Sequence, residues 1–153
     1  MAQERFEASV DIQVRFRDLD AMGHVNNAVY LTYLEMARVE YWRRLMGKVS
    51  WDAYRFIVAR LEIDYLAPVA VADELTCRIG LTEMGESSFR FEYELVRRSD
   101  GRVAARAVSV QVAYDYRARK AVPVDQELRE RVAALRAEQG LPPPRAREKR
   151  ADA

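Results

Sequence analysis

The stretch AVYLTYLEMARVEYWRRLM, Ala28 to Met46, decides how the chain must fold. Tyr30, Tyr33, Leu34, Ala37, Tyr41 and Leu45 recur with a helical period, while Val29, Leu31, Met36, Val39, Trp42 and Met46 fill the other faces. A helix that is apolar nearly all round must be surrounded by protein. Asn26 or Asn27 can cap its start, and Gly47 stands where a left-handed residue closes a helix.

On both sides the pattern changes to alternation, which marks half-buried strands. Before the helix, Phe6, Ala8, Val10, Ile12, Val14 and Phe16 share one face, with Glu7, Ser9, Asp11, Gln13 and Arg15 on the other. After it come Ile57, Ala59, Leu61, Ile63 and Tyr65, ended by Pro68, then Leu75, Cys77, Ile79 and Leu81, then Phe89, Phe91, Tyr93 and Leu95. The pair Asp100-Gly101 is a two-residue hairpin signal. It leads into Val103 to Tyr114, with Val108, Val110, Val112 and Tyr114 expected inward. Asp125 to Gln139 reads as a surface helix with Val124, Leu128, Val132 and Leu135 as its apolar stripe. The expected class is therefore α+β: an antiparallel sheet of about five strands covering one buried helix, plus a C-terminal surface helix.

A chain of 153 residues suggests one domain, over 1–140, with 141–153 expected as a disordered charged tail. The 25 basic and 24 acidic residues nearly cancel, so no global field attracts nucleic acid. One cysteine, Cys77, and one histidine, His24, exclude an intrachain disulfide and the usual Cys/His zinc site. No apolar run approaches the roughly eighteen residues of a membrane span. The start MAQERFEASV lacks a signal-peptide core, so a cytoplasmic setting without membrane partners is expected.

Immediately before the helix stands RDLDAMGHVNNAVY, Arg17 to Tyr30, dense in polar side chains. A helix start offers unpaired N–H groups and a positive dipole end, which suit the developing negative charge of a carbonyl under attack. Asp18 and Asp20 lie close enough to bring a carboxylate to the same space, and His24 can donate or accept near neutral pH. Gly23 lets the backbone approach closely. Such groups fit hydrolysis of an activated acyl group. Equally, Asp and Asn before a helix serve as caps and turn formers.

The run DLDAMGHVNNAVYLTYLEMAR, Asp18 to Arg38, resembles the signature of hotdog-fold acyl-CoA thioesterases of the 4-hydroxybenzoyl-CoA thioesterase type. The resemblance implies a sheet wrapped around one helix, with no cofactor and no metal. It implies Asp20 as the catalytic carboxylate, acting as base or nucleophile, and the Asn27 N–H as the group that polarises the thioester carbonyl. His24 would orient substrate, and Asp18 would order the loop. Tyr30 and Glu35 belong to the motif, with helix packing and a Glu35–Arg38 pair as their expected roles.

For the coenzyme A end, the resemblance points to the turn before the fourth strand, where Gly85, Ser87, Ser88 and Arg90 would approach pantetheine or phosphate. That turn also carries Glu83 and Glu86 where the family has basic residues, which leaves acyl-carrier-protein thioesters open as donors. Arg97-Arg98 is the basic pair a carrier could use. The resemblance further implies a homodimer or homotetramer with the site at the dimer interface and Ile57 to Tyr65 contributed by the second subunit. Two rivals share the fold: an enoyl-CoA hydratase, and a non-catalytic acyl-CoA-binding regulator, for which no DNA-reading segment is present. No G-x-S-x-G marks a serine hydrolase.

Overall fold

The computed structural model describes residues 5–47 and 55–148. Five long strands, β1 (Ala8–Gln13), β2 (Phe56–Tyr65), β3 (Glu74–Met84), β4 (Ser88–Arg97) and β5 (Val103–Asp115), form an antiparallel sheet in the order β1-β3-β4-β5-β2. Helix α1 (Val29–Met46) packs on one face of it. The short strand β6 (Lys120–Ala121) pairs with β5, and after helix α2 (Gln126–Glu138) the short strand β7 (Arg145–Ala146) pairs with β3 in parallel. No described helix is long and apolar enough to cross a membrane.

Gly47 closes the end of helix α1 as its sequence offered, whereas its start has Ala28 at the N-cap with no side-chain cap, and Asn26 forms a turn just before it. Asn26 Oδ1 accepts from the Ala28 N–H at 2.9 Å, and Gly47, at φ 75°, donates its N–H to Arg43 C=O. Its buried stripe is Tyr30, Tyr33, Leu34, Ala37, Tyr41, Trp42 and Leu45. Trp42 stacks on Phe56 at 5.0 Å, and Tyr41 meets Phe91 edge-on at 4.8 Å, so aromatic bulk fills the space between helix and sheet. Burial all round does not hold within one chain: Leu31, Met36 and Met46 are exposed, because only one side of α1 meets the sheet.

Two strands run in a different phase from the expected one. On β5 the residues opposite Phe89, Phe91, Tyr93 and Leu95 are Gln111, Ser109, Ala107 and Ala105, so these small and polar residues face α1. Val108, Val110 and Val112 lie on the outer face instead. The aromatic side chains of α1 and β4 already occupy the interior, and alanines make room for them. On β2 a bulge between Val58 and Arg60 adds a residue, which shifts the phase mid-strand. Phe56 and Val58 therefore point inward before it, and Leu61, Ile63 and Tyr65 after it, whereas Ile57 and Ala59 do not.

The first strand is shorter than its alternation. It ends at Gln13, and Phe16 sits 85% exposed in a 3-10 turn over Phe16–Asp18. At its other end Glu7, expected on the solvent face, is 1% exposed. Pairing of β1 with β3 stops at Ala8–Ile79, so the β3 edge beyond it needs other partners. Glu7 Oε2 accepts the Leu81 N–H at 3.1 Å, and Arg136 donates to Leu81 C=O at 2.9 Å and to Glu7 Oε1 at 2.5 Å. Gly80 is required here, since a Cβ would fall 2.1 Å from the Arg5 carbonyl oxygen.

Residues 141–148 correct the expectation of a disordered tail; 149–153 lie outside the described residues. Leu141 is buried, Pro142 C=O accepts from Arg136 Nε at 2.5 Å, and β7 extends the cover of the β3 edge to Glu83 and Met84. Breaking a buried ion pair from one side leaves an uncompensated charge. Arg136→Met is therefore expected to lower unfolding free energy by about 3–5 kcal/mol in denaturant titration, and Glu7→Gln/Arg136→Met by less than the sum of the single changes. Truncation after Gly140 is expected to lower the unfolding midpoint as well.

Candidate active site

The loop before α1 is built around Asp18. Its carboxylate accepts from the Arg15 N–H at 2.9 Å, the Arg15 guanidinium at 3.1 Å and the Tyr33 hydroxyl at 2.8 Å, while its carbonyl accepts from Asn26 N–H. Burial would raise the Asp18 pKa, but these bonds outweigh it and hold the carboxyl below its ordinary 3.8. The same burial, with the Asp18 charge, lifts the Tyr33 hydroxyl well above the tyrosine range. Val25 N–H donates to Val69 C=O, which pins the loop to the segment after β2.

Asp20 makes the next turn. Its Oδ1 accepts from Met22 N–H at 2.8 Å and His24 N–H at 3.3 Å, and Gly23 closes the turn at φ 79°. Among the described residues, Asp20 Oδ2 receives no hydrogen bond. Asn27 follows with the mirror-image property. Its carbonyl accepts from the Tyr65 hydroxyl at 2.9 Å, while its N–H has no partner among the described residues.

These groups share a shallow depression of about 350 Å³, walled by Asp20, His24, Asn27, Tyr30, Tyr65 and Pro68 among others. Tyr30 is buried beneath it and meets Tyr65 edge-on at 5.0 Å. Gly23 lies at the exposed loop tip, outside the walls. A carbonyl seated here meets an unengaged carboxylate oxygen, an unengaged N–H at a helix start and an imidazole. That set suits acyl transfer to water.

Tyr65 was not among the expected site residues. It sits at the end of β2, 38 positions from Asn27, and only the fold brings them together. Through it the end of β2 borders the depression within the same chain.

Gly85, Ser87, Ser88 and Arg90 are not brought to the depression within one chain. They lie at the other end of α1, beside Phe89 and Trp42, roughly 27 Å away along an 18-residue helix. Gly85 N–H donates to Ser88 C=O at 2.7 Å, and Ser87 C=O accepts from Ala113 N–H. Arg90 pairs with Glu83 and Glu92. Glu83 also meets Arg145 at 3.1 Å and Arg147 at 3.4 Å, so three guanidinium groups surround one carboxylate. The C-terminal segment thus returns the positive charge that the turn itself lacks.

Three other candidate groups take different roles. Glu35 is exposed and does not pair with Arg38, which donates instead to the Tyr93 hydroxyl at 3.3 Å. Arg97 is held by Asp100 and Pro68 C=O, and Arg98 by Asp11 and Glu74, so that pair is engaged within the chain. Burial pushes the Cys77 thiol up to about 12, which removes it as a nucleophile. No three metal-ligating side chains converge among the described residues.

The model of the thioesterase-like superfamily matches residues 14–132. The chain belongs to that superfamily. It is 32% identical over 129 residues to the long-chain acyl-CoA thioesterase FadM of Escherichia coli K12, covering 81% of this chain and 96% of the relative. Acyl-CoA thioesterase YbgC of Haemophilus influenzae is 32% identical over 95 residues, covering 60% and 70%. Among solved structures, a thioesterase of Thermus thermophilus complexed with coenzyme A and Zn superposes with TM-score 0.78 at 38% identity, covering 86% of this chain and 96% of that one. The architecture is the hotdog fold of this superfamily.

A depressed carboxyl pKa contributes stability that is present above the unfolded value and lost as pH falls through the folded one. Asp18→Asn is therefore expected to melt lower than wild type at neutral pH, with the gap closing below the ordinary value of 3.8. Melting temperatures measured from about pH 7 to pH 3 check this, and a gap that persists in acid contradicts it.

Proposed function

We propose that this protein hydrolyses acyl-CoA thioesters to a free carboxylic acid and coenzyme A. The observation that carries the reading is the pairing, in one depression, of an unengaged Asp20 oxygen with an unengaged Asn27 N–H. FadM and YbgC, both acyl-CoA thioesterases by name, and the neighbour complexed with coenzyme A support this choice of donor over a carrier protein.

In this mechanism Asp20 takes a proton from water as the water attacks the thioester carbonyl, or attacks the carbonyl itself. The second route gives a mixed anhydride, which water then hydrolyses to the free acid and the restored Asp20 carboxylate. The oxyanion forms against the Asn27 N–H, whose alignment with the start of α1 adds the positive end of the helix dipole. The thiolate of coenzyme A then leaves and is protonated. His24, exposed on the rim, orients the thioester, and Tyr30 supports the floor. Asp18 keeps its proton-free charge for the loop and takes no part in the chemistry.

The coenzyme A nucleotide reaches the turn at Gly85, Ser87, Ser88 and Arg90 of a second subunit, joined there by Arg145 and Arg147. This arrangement requires a homodimer or homotetramer, and two features support one. Strand β2 is a ten-residue edge strand, and α1 exposes Leu31, Met36 and Met46. A cytoplasmic location accords with the free, buried Cys77.

Release of free coenzyme A thiol from an acyl-CoA panel, with an enoyl-CoA hydration control, tests the activity. Asp20→Asn keeps shape and is expected to lower turnover by about 10²–10⁴-fold at unchanged melting temperature. Near-normal turnover in that variant refutes the assignment. Sedimentation at micromolar concentration is expected to show a dimer or larger, and a fully active monomer contradicts the shared site.

A further inference from the structure

The inward face of the sheet is unevenly covered. Helix α1 lies closest to β1 and β3. On the far side, β5 presents Ala105, Ala107, Ser109 and Gln111, and the residues of β2 paired with them are Tyr65, Ile63, Leu61 and Val58. Those four point inward yet keep part of their surface exposed. They form an apolar strip along the β2 side of α1, and its first member, Tyr65, is a wall of the depression that holds Asp20 and Asn27.

One cation enters this region from the helix. Arg38 is half-buried, makes no ion pair among the described residues, and uses one of its five donors, to the Tyr93 hydroxyl at 3.3 Å. Behind it runs a chain of polar groups on the inner face of the sheet. Tyr93 Oη and Ser109 Oγ are 2.7 Å apart, Gln111 Nε2 donates to Ser109 Oγ at 2.7 Å, and Gln111 Oε1 is buried with no partner. Arg38 thus keeps most of its donors unengaged beside apolar side chains, where an acceptor group brought to it is bound more strongly than in open water.

The spacing says where that group must come from. Leu61, opposite Ser109, is four residues from Tyr65, or roughly 13–14 Å at a strand's rise of about 3.4 Å per residue. Arg38 is eleven residues from Asn27, or roughly 16 Å at about 1.5 Å per helical residue. Both routes place the polar chain at the same depth from the carbonyl-binding end. A single aromatic ring is too short to bridge that span, whereas an extended long acyl chain reaches it.

Building on the acyl-CoA reading, we propose that the strip is the acyl subsite and that Arg38 reads an oxygen at the distal end of a long acyl chain. A terminal carboxylate is the strongest match, because it brings a charge opposite to that of the guanidinium. A terminal hydroxyl offers the same acceptor without the charge. Tyr93, Ser109 and Gln111 act as positioning residues that fix the guanidinium from behind.

The test compares dodecanoyl-CoA, 12-hydroxydodecanoyl-CoA and the ω-carboxy-dodecanoyl thioester on wild type, Arg38→Gln and Arg38→Lys. Arg38→Gln is expected to lower kcat/KM for the ω-carboxy substrate about 10–100-fold, with the hydroxy substrate falling less and the plain chain nearly unchanged. Arg38→Lys is expected to restore part of the loss for the ω-carboxy substrate alone. An equal loss on all three substrates assigns Arg38 a structural role and overturns the proposal. So does an unchanged substrate ratio with weakened subunit association, which would mean that a second copy supplies the counter-charge. In both cases hydrolysis of the plain chain by wild type leaves the thioesterase reading standing. Absence of hydrolysis on every acyl-CoA overturns both.

Discussion

The hydroxyl of Tyr33 and the carboxylate of Asp18, 2.8 Å apart, join the buried helix to the loop in front of it. Everything in the candidate site hangs from that contact. With Arg15 and Asn26 bound to the same residue, Asp18 turns the chain so that Asp20 and Asn27 come to border one depression. Two neighbouring carboxylates thus divide the work by environment. Asp18 is saturated with donors in the interior, while Asp20 spends one oxygen on its own turn and keeps the other unengaged.

Helix α1 serves two purposes that constrain each other. Its N-terminus supplies the N–H groups at the depression, so its axis must hold still against the sheet. Aromatic contacts at its far end, Trp42 on Phe56 and Phe89, provide that anchoring. The bulk of those rings dictates small residues on β5, and the small residues leave the β2 side of the interior thinly covered.

Strong, local periodicity was legible in the sequence, and features set by distant partners were not. The buried face of α1, the inward set of β4 and the stripe of α2 could be read directly, because each repeats over several turns or pairs of residues. The phase of β5 misled because its valines look like a core face, and only the rings above explain why Ala105 and Ala107 take that place. The shift in β2 depends on one bulge, which leaves no mark in an alternating run. At the site, Asp20, His24 and Asn27 fall within eight residues and share a recognisable pattern. Tyr65, Arg145 and Arg147 reach their places only through tertiary structure, and Glu7 meets Arg136 across 129 positions.

The closure of the β3 edge by Arg136, Pro142 and β7 has a consequence for biosynthesis. The chain emerges from the ribosome N-terminus first, so the whole sheet is made before the segment that seals its edge. Until then Leu81 and Glu83 present open backbone groups, and Glu7 lacks its counter-charge. Over that interval the nascent sheet has a raw border along β3, prone to pair with another strand, and the stretch from Arg136 to Ala146 is the stitch that finishes that seam.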